Sequence, residues 1–422
     1  MNDIRQTVSS TLRYVAVVFG VLASAVACDL NSTGSENNQL PVATTRLNVG
    51  ESTTCVATTG ATVFCWGLNS AFREFGVGSD TTAGSSVPYL ITATNVASMS
   101  SGHGSHACGM SALGSVKCWG RNTFGQVGGN LVATTGAGPV VVAGNANWSM
   151  ISTGRLTTCG VTALMVAYCW GANQRGEGGN STRGIGEAAI GPRQVEITLD
   201  FKSVAAGWTH SCGITTAGAL YCWGDNNHGQ LGIGAADTAV HRVPAAVQPT
   251  LQFTQVVAGG TYTCAIAVDK NAYCWGQNAT GNLGDGTLTE RAAPTLVSGG
   301  MKFVQISAST GFGTGNLTGL PNVPVGAVAH TCALTETGAA YCWGWNGAGQ
   351  LGDGTIIDRL APVAVSGGKT FTEIGAGAAH TCGMNASTVS CWGSNASGQL
   401  GNGNTTNSSV PLTVAKTFNT AN

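Results

Sequence analysis

Cys342-Trp343-Gly344-Trp345-Asn346-Gly347-Ala348-Gly349-Gln350-Leu351-Gly352-Asp353-Gly354, followed by Ala361-Pro362-Val363-Ala364-Val365, Phe371-Thr372-Glu373-Ile374 and Ala378-Ala379-His380-Thr381-Cys382, is one turn of a pattern that recurs along the chain. The tripeptide Cys-Trp-Gly begins at Cys65, Cys118, Cys169, Cys222, Cys274, Cys342 and Cys391. Its period is about 52 residues, with one interval longer by about 16, and self-similarity at a fixed period marks a repeat architecture. One repeat is thus one structural unit, and the chain holds seven.

The cysteines follow the same period. Apart from Cys28 they fall into local pairs, Cys55/Cys65, Cys108/Cys118, Cys159/Cys169, Cys212/Cys222, Cys264/Cys274, Cys332/Cys342 and Cys382/Cys391. Turn residues such as Thr335-Glu336-Thr337-Gly338 lie between the members of a pair, with strand-like flanks on either side. That is a β-hairpin with a short glycine-containing loop. Equal counts on both sides of the turn set the two cysteines opposite each other, at a Cα separation of about 4.5 Å, which is short but feasible for a disulfide. Zinc is the rival reading, because His106, His210, His330 and His380 each stand two residues before a cysteine. The spacing is not that of a zinc motif, and the other repeats lack the histidine. No metal or other cofactor is expected, and the histidines are read as structural, bonding to a neighbouring unit.

Each repeat offers four strands: Phe-x-x-Ile/Val, the strand with the first cysteine, the Cys-Trp-Gly strand, and one containing proline, as in Val243-Pro244-Ala245-Ala246-Val247. Proline lacks the ladder donor and belongs at a sheet edge, so the last strand is expected outermost. Four short strands per unit and no helix predict an all-β fold, a seven-bladed β-propeller over residues 46–416. Ring closure is open to two readings: Leu40-Pro41-Val42 or Val410-Pro411-Leu412-Thr413-Val414 finishes the last blade.

Composition agrees. There are 63 glycines, 43% hydrophobic residues and only 9% charged residues, with a formal net charge of −1. That suits many tight turns around buried strands and argues against disorder. The absence of any basic cluster argues against nucleic acid, which requires a positive face.

The N-terminal segment has Arg5 and Arg13 ahead of an apolar run from Tyr14 to Ala27, too short to span a bilayer and suited to a signal sequence. Ala25-Val26-Ala27-Cys28 resembles the lipobox of bacterial lipoproteins, with Ala25 where that motif prefers leucine. The resemblance implies cleavage before Cys28 and lipidation of its sulfur, hence export and a membrane anchor. Residues 29–45 read as a flexible tether, and residues 417–422 as a C-terminal tail.

The combination of Ala-His-Thr-Cys-Ala-Leu, Tyr-Cys-Trp-Gly and Asn-x-x-Gly-Gln-Leu-Gly-Asp-Gly-Thr with the proline strand resembles the regulator of chromosome condensation repeat family, over about residues 46–415. The resemblance implies the propeller fold. The family's eukaryotic namesake exchanges nucleotide on a nuclear GTPase, a role at odds with an export signal. Secreted bacterial inhibitors with a similar fold cap a β-lactamase with one face, which implies protein binding through loops.

The chain carries no nucleophile–base motif and no phosphate loop. Asp285 and Asp353 in Gly-Asp-Gly turns are single carboxylates on separate blades and cannot form a calcium site. Residues that break the repeat are the binding-face candidates: Phe72, Arg73 and Glu74, Arg121, Phe124, Arg155, Arg175, Trp208, His228, Tyr262 and Trp345. The long interval is an insertion at 308–325, whose Phe312, Leu317 and Leu320 are further candidates for a binding loop. The expected function is a non-enzymatic cell-envelope module, a monomer, recognising a protein or envelope polymer. The alternatives are a propeller enzyme acting on extracellular glycans and an inhibitor-like cap.

Overall fold

The computed structural model describes residues 47–58, 62–70, 73–76, 84–91, 95–101, 106–130, 132–144, 146–181, 189–309, 311, 328–386 and 388–418. They form seven four-stranded antiparallel sheets, each taken from one continuous stretch of chain: 47–91, 98–141, 148–194, 201–247, 253–296, 303–364 and 373–413. Within every sheet the strands lie in chain order, and the first strands of successive sheets touch one another. The first strand is therefore innermost and the proline strand outermost. All seven fourth strands contain a proline, from Pro88 to Pro411. The expected propeller and its edge prolines are what the molecule shows.

The hairpin register sets each cysteine opposite its partner, as Cys212↔Cys222 in blade four. All seven pairs are disulfide-bonded, with Cα–Cα distances of 4.0 to 4.1 Å. The glycine of Cys-Trp-Gly has a local reason. The ladder between third and fourth strands slips between Cys222 and Gly224. Gly224 takes φ +108°, and a Cβ there would lie 2.5 Å from the Thr209 carbonyl oxygen. Only glycine fits such a bulge.

The core is a set of seven wedges between blades. Every Cys-Trp-Gly tryptophan is fully buried. Trp275 of blade five, for example, packs with Leu231 and Ile214 of blade four. Its indole N–H donates to the Gln230 carbonyl at 3.0 Å, and the Thr263 hydroxyl donates to the same oxygen at 2.8 Å. The histidines complete this joint. His106, His210, His330 and His380 place Nε2 at 2.8 to 2.9 Å from Thr158, Thr263, Thr381 and Thr54 of the following blade. Because the Thr263 proton goes to Gln230, Nε2 of His210 is the donor. Burial holds the His210 pKa far below its usual value, at about 3, so the ring is neutral.

Blade seven takes its fourth strand from Ser408–Thr413. Leu40-Pro41-Val42, with the signal segment, Cys28 and the tether, lies outside the described residues. The seam between blades seven and one repeats the others: Trp66 donates to the Gln399 carbonyl at 3.0 Å, and Leu47 N–H donates to Glu373 at 2.9 Å. One piece of it departs from the sequence reading. Phe418, assigned above to a tail, is 1% exposed and stacks on Trp66 with centroids 5.9 Å apart. In blades four to seven that place beside the tryptophan is taken by the blade's own phenylalanine, Phe201, Phe253, Phe303 or Phe371. Phe418 supplies it to blade one from the other end of the propeller. Among the described residues, no helix is long and apolar enough to cross a membrane.

Candidate functional site

An antiparallel meander sends the first-to-second and third-to-fourth strand loops to one face of the ring and the hairpin tips to the other. On the first of these, the loop face, lie Arg155 and Trp208, each between the first and second strands of its blade, and Arg121, at the end of the third strand Val116–Asn122. Arg73, Phe124, Arg175 and Trp345 follow Cys-Trp-Gly strands and share that face. The insertion enters between Phe303–Ala308 and His330–Thr335, so it too springs from the loop face.

The candidates divide by burial. Arg175 is exposed; Arg73, Arg121, Phe124 and Arg155 are half-buried. Trp208 and Trp345 are buried, contrary to the exposure expected of them. Trp345 packs with Val328 and Ala379. Tyr262 leaves the site altogether. It occupies the histidine position of blade five, is 1% exposed, and donates its hydroxyl to the His330 carbonyl at 2.8 Å with Thr331 Oγ1 at 3.1 Å. It is a longer side chain making the same kind of seam bond, and burial pushes its phenol pKa up. Phe72, Phe312, Leu317 and Leu320 lie outside the described residues. Glu74 is buried and holds Ser70 through its amide and hydroxyl at 2.6 and 2.5 Å. His228 Nδ1 lies 2.8 Å from Glu290 on the next blade.

What the fold brings together is a polar cluster across blades one to four. The Arg155 guanidinium stands 4.5 Å from the Trp208 ring centroid, a cation–π contact between adjacent blades. The Arg155 amide donates to the Gly207 carbonyl at 3.1 Å, which fixes the two loops side by side. Glu51, between the first and second strands of blade one, joins them; sequence reading passed it over, although its loop is the signal. Burial raises the Glu51 carboxyl above its usual value, while Arg155 and Arg121 pull it back and Glu74 raises it further. Burial and the neighbouring Arg155 lower Arg121, with Glu51 opposing. Neither the Glu51 carboxylate nor the Arg155 guanidinium is engaged by another side chain in a hydrogen bond or ion pair among the described residues. The cluster therefore holds hydrogen-bonding capacity on partly desolvated groups, a condition suited to recognition.

The Gly-Asp-Gly carboxylates are committed within their own loops. Asp285 accepts from Arg291 at 2.8 Å and from the Thr287 hydroxyl at 2.8 Å, and Asp353 does the same with Arg359 and Thr355 at 2.9 and 2.7 Å. Among the described residues, no group of three or more His, Cys, Asp or Glu side chains gathers as a metal site would require.

Sequence profiles of the Regulator of chromosome condensation (RCC1) repeat match residues 96–126, 201–230 and 253–282, and also 217–266, 269–314, 337–384 and 388–420. Together these segments cover more than half of the chain. The chain is 28% identical over 289 residues to the ultraviolet-B receptor UVR8 of Arabidopsis thaliana, covering 65% of this chain and 59% of the receptor. It thus spans about three fifths of that relative's length. Among solved structures it is similar to human WBSCR16, with TM-score 0.67 and 21% identity over 79% of this chain and 85% of that one. It is also similar to Prp20p of Saccharomyces cerevisiae, described by its binding to Gsp1p and histones, with TM-score 0.68 and 17% identity over 87% of this chain and 86% of that one. These likenesses are of fold.

Proposed function

Since the chain belongs to the regulator of chromosome condensation (RCC1) repeat family, we propose that it is a non-enzymatic binding module of the cell envelope that holds a protein or envelope polymer on its loop face. The observation that carries this reading is the convergence of Glu51, Arg121, Arg155 and Trp208 from four successive blades. Half-buried arginines, one of them backed by a tryptophan, on a rigid scaffold are the usual anchors of recognition. Prp20p, a relative in fold, is described by the proteins it binds, and UVR8 is named a receptor; both precedents favour binding over turnover. Seven buried disulfides suit an oxidising compartment. Export followed by lipidation of Cys28 fits that compartment and is the anchoring we propose.

The test is affinity capture from envelope extract with wild type, Arg155→Ala and a deletion of residues 310–324, each first shown to melt like wild type. We expect a retained component that Arg155→Ala loses and that the deletion retains poorly. Equal recovery by wild type and Arg155→Ala rejects the loop-face site, and equal recovery by the deletion removes the insertion from it. For the anchor, Cys28→Ala is expected to release the protein into the soluble exported fraction; continued membrane association removes lipidation from the reading.

A further inference from the structure

A concavity lies on the flank of the ring, at the outer edge of the seam between blades two and three, away from the loop-face cluster. It measures about 290 Å³ and is lined by Gly144, Ala146, Trp148, Tyr168, Asn130 and Arg193, among others. Its origin is visible in the repeat. The segments linking one blade to the next run Val195-Glu196-Ile197-Thr198-Leu199-Asp200-Phe201, Val247-Gln248-Pro249-Thr250-Leu251-Gln252-Phe253 and Val297-Ser298-Gly299-Gly300-Met301-Lys302-Phe303. Leu199 packs in the same cluster as Tyr221, Leu251 in that of Tyr273, and Met301 in that of Tyr341. The corresponding link between blades two and three is Val142-Ala143-Gly144-Asn145-Ala146-Asn147-Trp148. Here Ala146 stands in the leucine position beside Tyr168, while Gly144 has a glycine counterpart in Gly299. Ala146 thus replaces the longer side chains of Leu199, Leu251 and Met301 that pack at this point in the other three links, and the cleft lies where they would reach.

The lining has a definite chemistry. Trp148 and Tyr168 meet edge to face, with centroids 5.8 Å apart, and give an aromatic floor. Asn130 and Arg193 form a polar rim. Arg193 is exposed and is engaged by no carboxylate among the described residues. An apolar floor with one uncompensated cation at its lip selects for a flat ring bearing a negative charge, and the volume sits at the small end of ligand sites. We propose that this cleft binds a small molecule or terminal group made of one planar apolar ring system carrying a carboxylate, independently of the loop-face partner.

Naphthoate is a probe of that size and charge. Its binding is measured by calorimetry, with quenching of tryptophan fluorescence as a second readout. The decisive variant is Ala146→Leu, which copies the chain's own solution at Leu251 and fills the cleft without a polar change. Wild type is expected to bind saturably, Ala146→Leu to lose at least about tenfold in affinity, and Arg193→Gln to lose about tenfold for naphthoate but little for the uncharged naphthalene carboxamide. Should Ala146→Leu fail to fold, the Arg193→Gln comparison carries the test alone. Absence of saturable binding at millimolar naphthoate, or equal affinity in wild type and both variants, overturns the proposal. Loop-face capture by Ala146→Leu stays at the wild-type level in either event, which separates this site from the other.

Discussion

His210 Nε2 lies 2.8 Å from the hydroxyl of Thr263 across the seam between blades four and five, and that hydroxyl is already donating to the Gln230 carbonyl. The direction of the second bond fixes the first, so the imidazole donates through Nε2. Its Nδ1 is buried with no hydrogen-bond partner. A proton added there would charge a ring that is fully buried and would meet no acceptor.

Acid should therefore weaken the ring through His210. Its folded value of about 3 lies below the ordinary value of 6.5. The unfolded chain then binds the extra proton first, so stability is intact above about pH 6.5 and falls as pH drops toward 3. The limiting loss is on the order of 4–5 kcal/mol. Urea midpoints measured from pH 7.5 down to pH 4 should decline in wild type and decline less in His210→Gln. Parallel curves would show that this joint does not govern acid sensitivity.

The glycine after Leu231 is held by its neighbour. Gly232 has φ +73°, and a Cβ would lie 2.5 Å from Trp275 Nε1, whereas Gly234 has φ +97° with nothing within 4 Å of its Cβ. Backbone strain alone costs about 1–2 kcal/mol. Gly234→Ala should lose about that much, and Gly232→Ala about 3 kcal/mol or more, because the clash adds to the strain. Denaturant unfolding of the two variants side by side makes the comparison, and equal losses would contradict it.

Phe418→Ala should open the space over Trp66. Removing a buried phenylalanine side chain costs about 3–5 kcal/mol. A lowered melting temperature with a red shift in tryptophan emission is the expected result. A variant that melts with wild type would mean that the stacking contributes nothing to closing the ring.

The disulfides are sealed inside the blades. Cys212 and Cys222 are both fully buried, so a thiolate cannot reach them while the blade is folded. Native protein in dithiothreitol should stay unmodified by alkylating reagent until denaturant is added, as read by intact mass. Replacing both cysteines with serine should cost roughly 2.5–3 kcal/mol, the value for a loop of about ten residues.

The parts of this architecture that lie within one period could be read from the chain. The hairpin pairing of Cys212 with Cys222, the edge position of Pro244 and the outward reach of His210 all follow from residues a few positions apart. Phe418 could not be read so, because its partner Trp66 is at the far end of the chain and only ring closure joins them. Tyr262 misled for a different reason. It breaks the repeat, as a binding residue would, but the break is a substitution of one seam donor by another. Trp208 and Trp345 deviate too, and their large apolar rings lie down against neighbouring loops instead of facing water. Glu51 went unread because its meaning comes from Arg121 and Arg155, which approach it only after three blades have been placed side by side.

Six of the seven seams are crossed by the main chain; among the described residues the seam between blades seven and one is joined only noncovalently, with Phe418 lodged at it. Leu47 and Phe418 share one apolar cluster there, so the two ends of the described chain meet at the same clasp. A circular permutant, opened in the 248–252 link and joined across the clasp, would keep the packing of every wedge while moving the weak point to another place on the circumference.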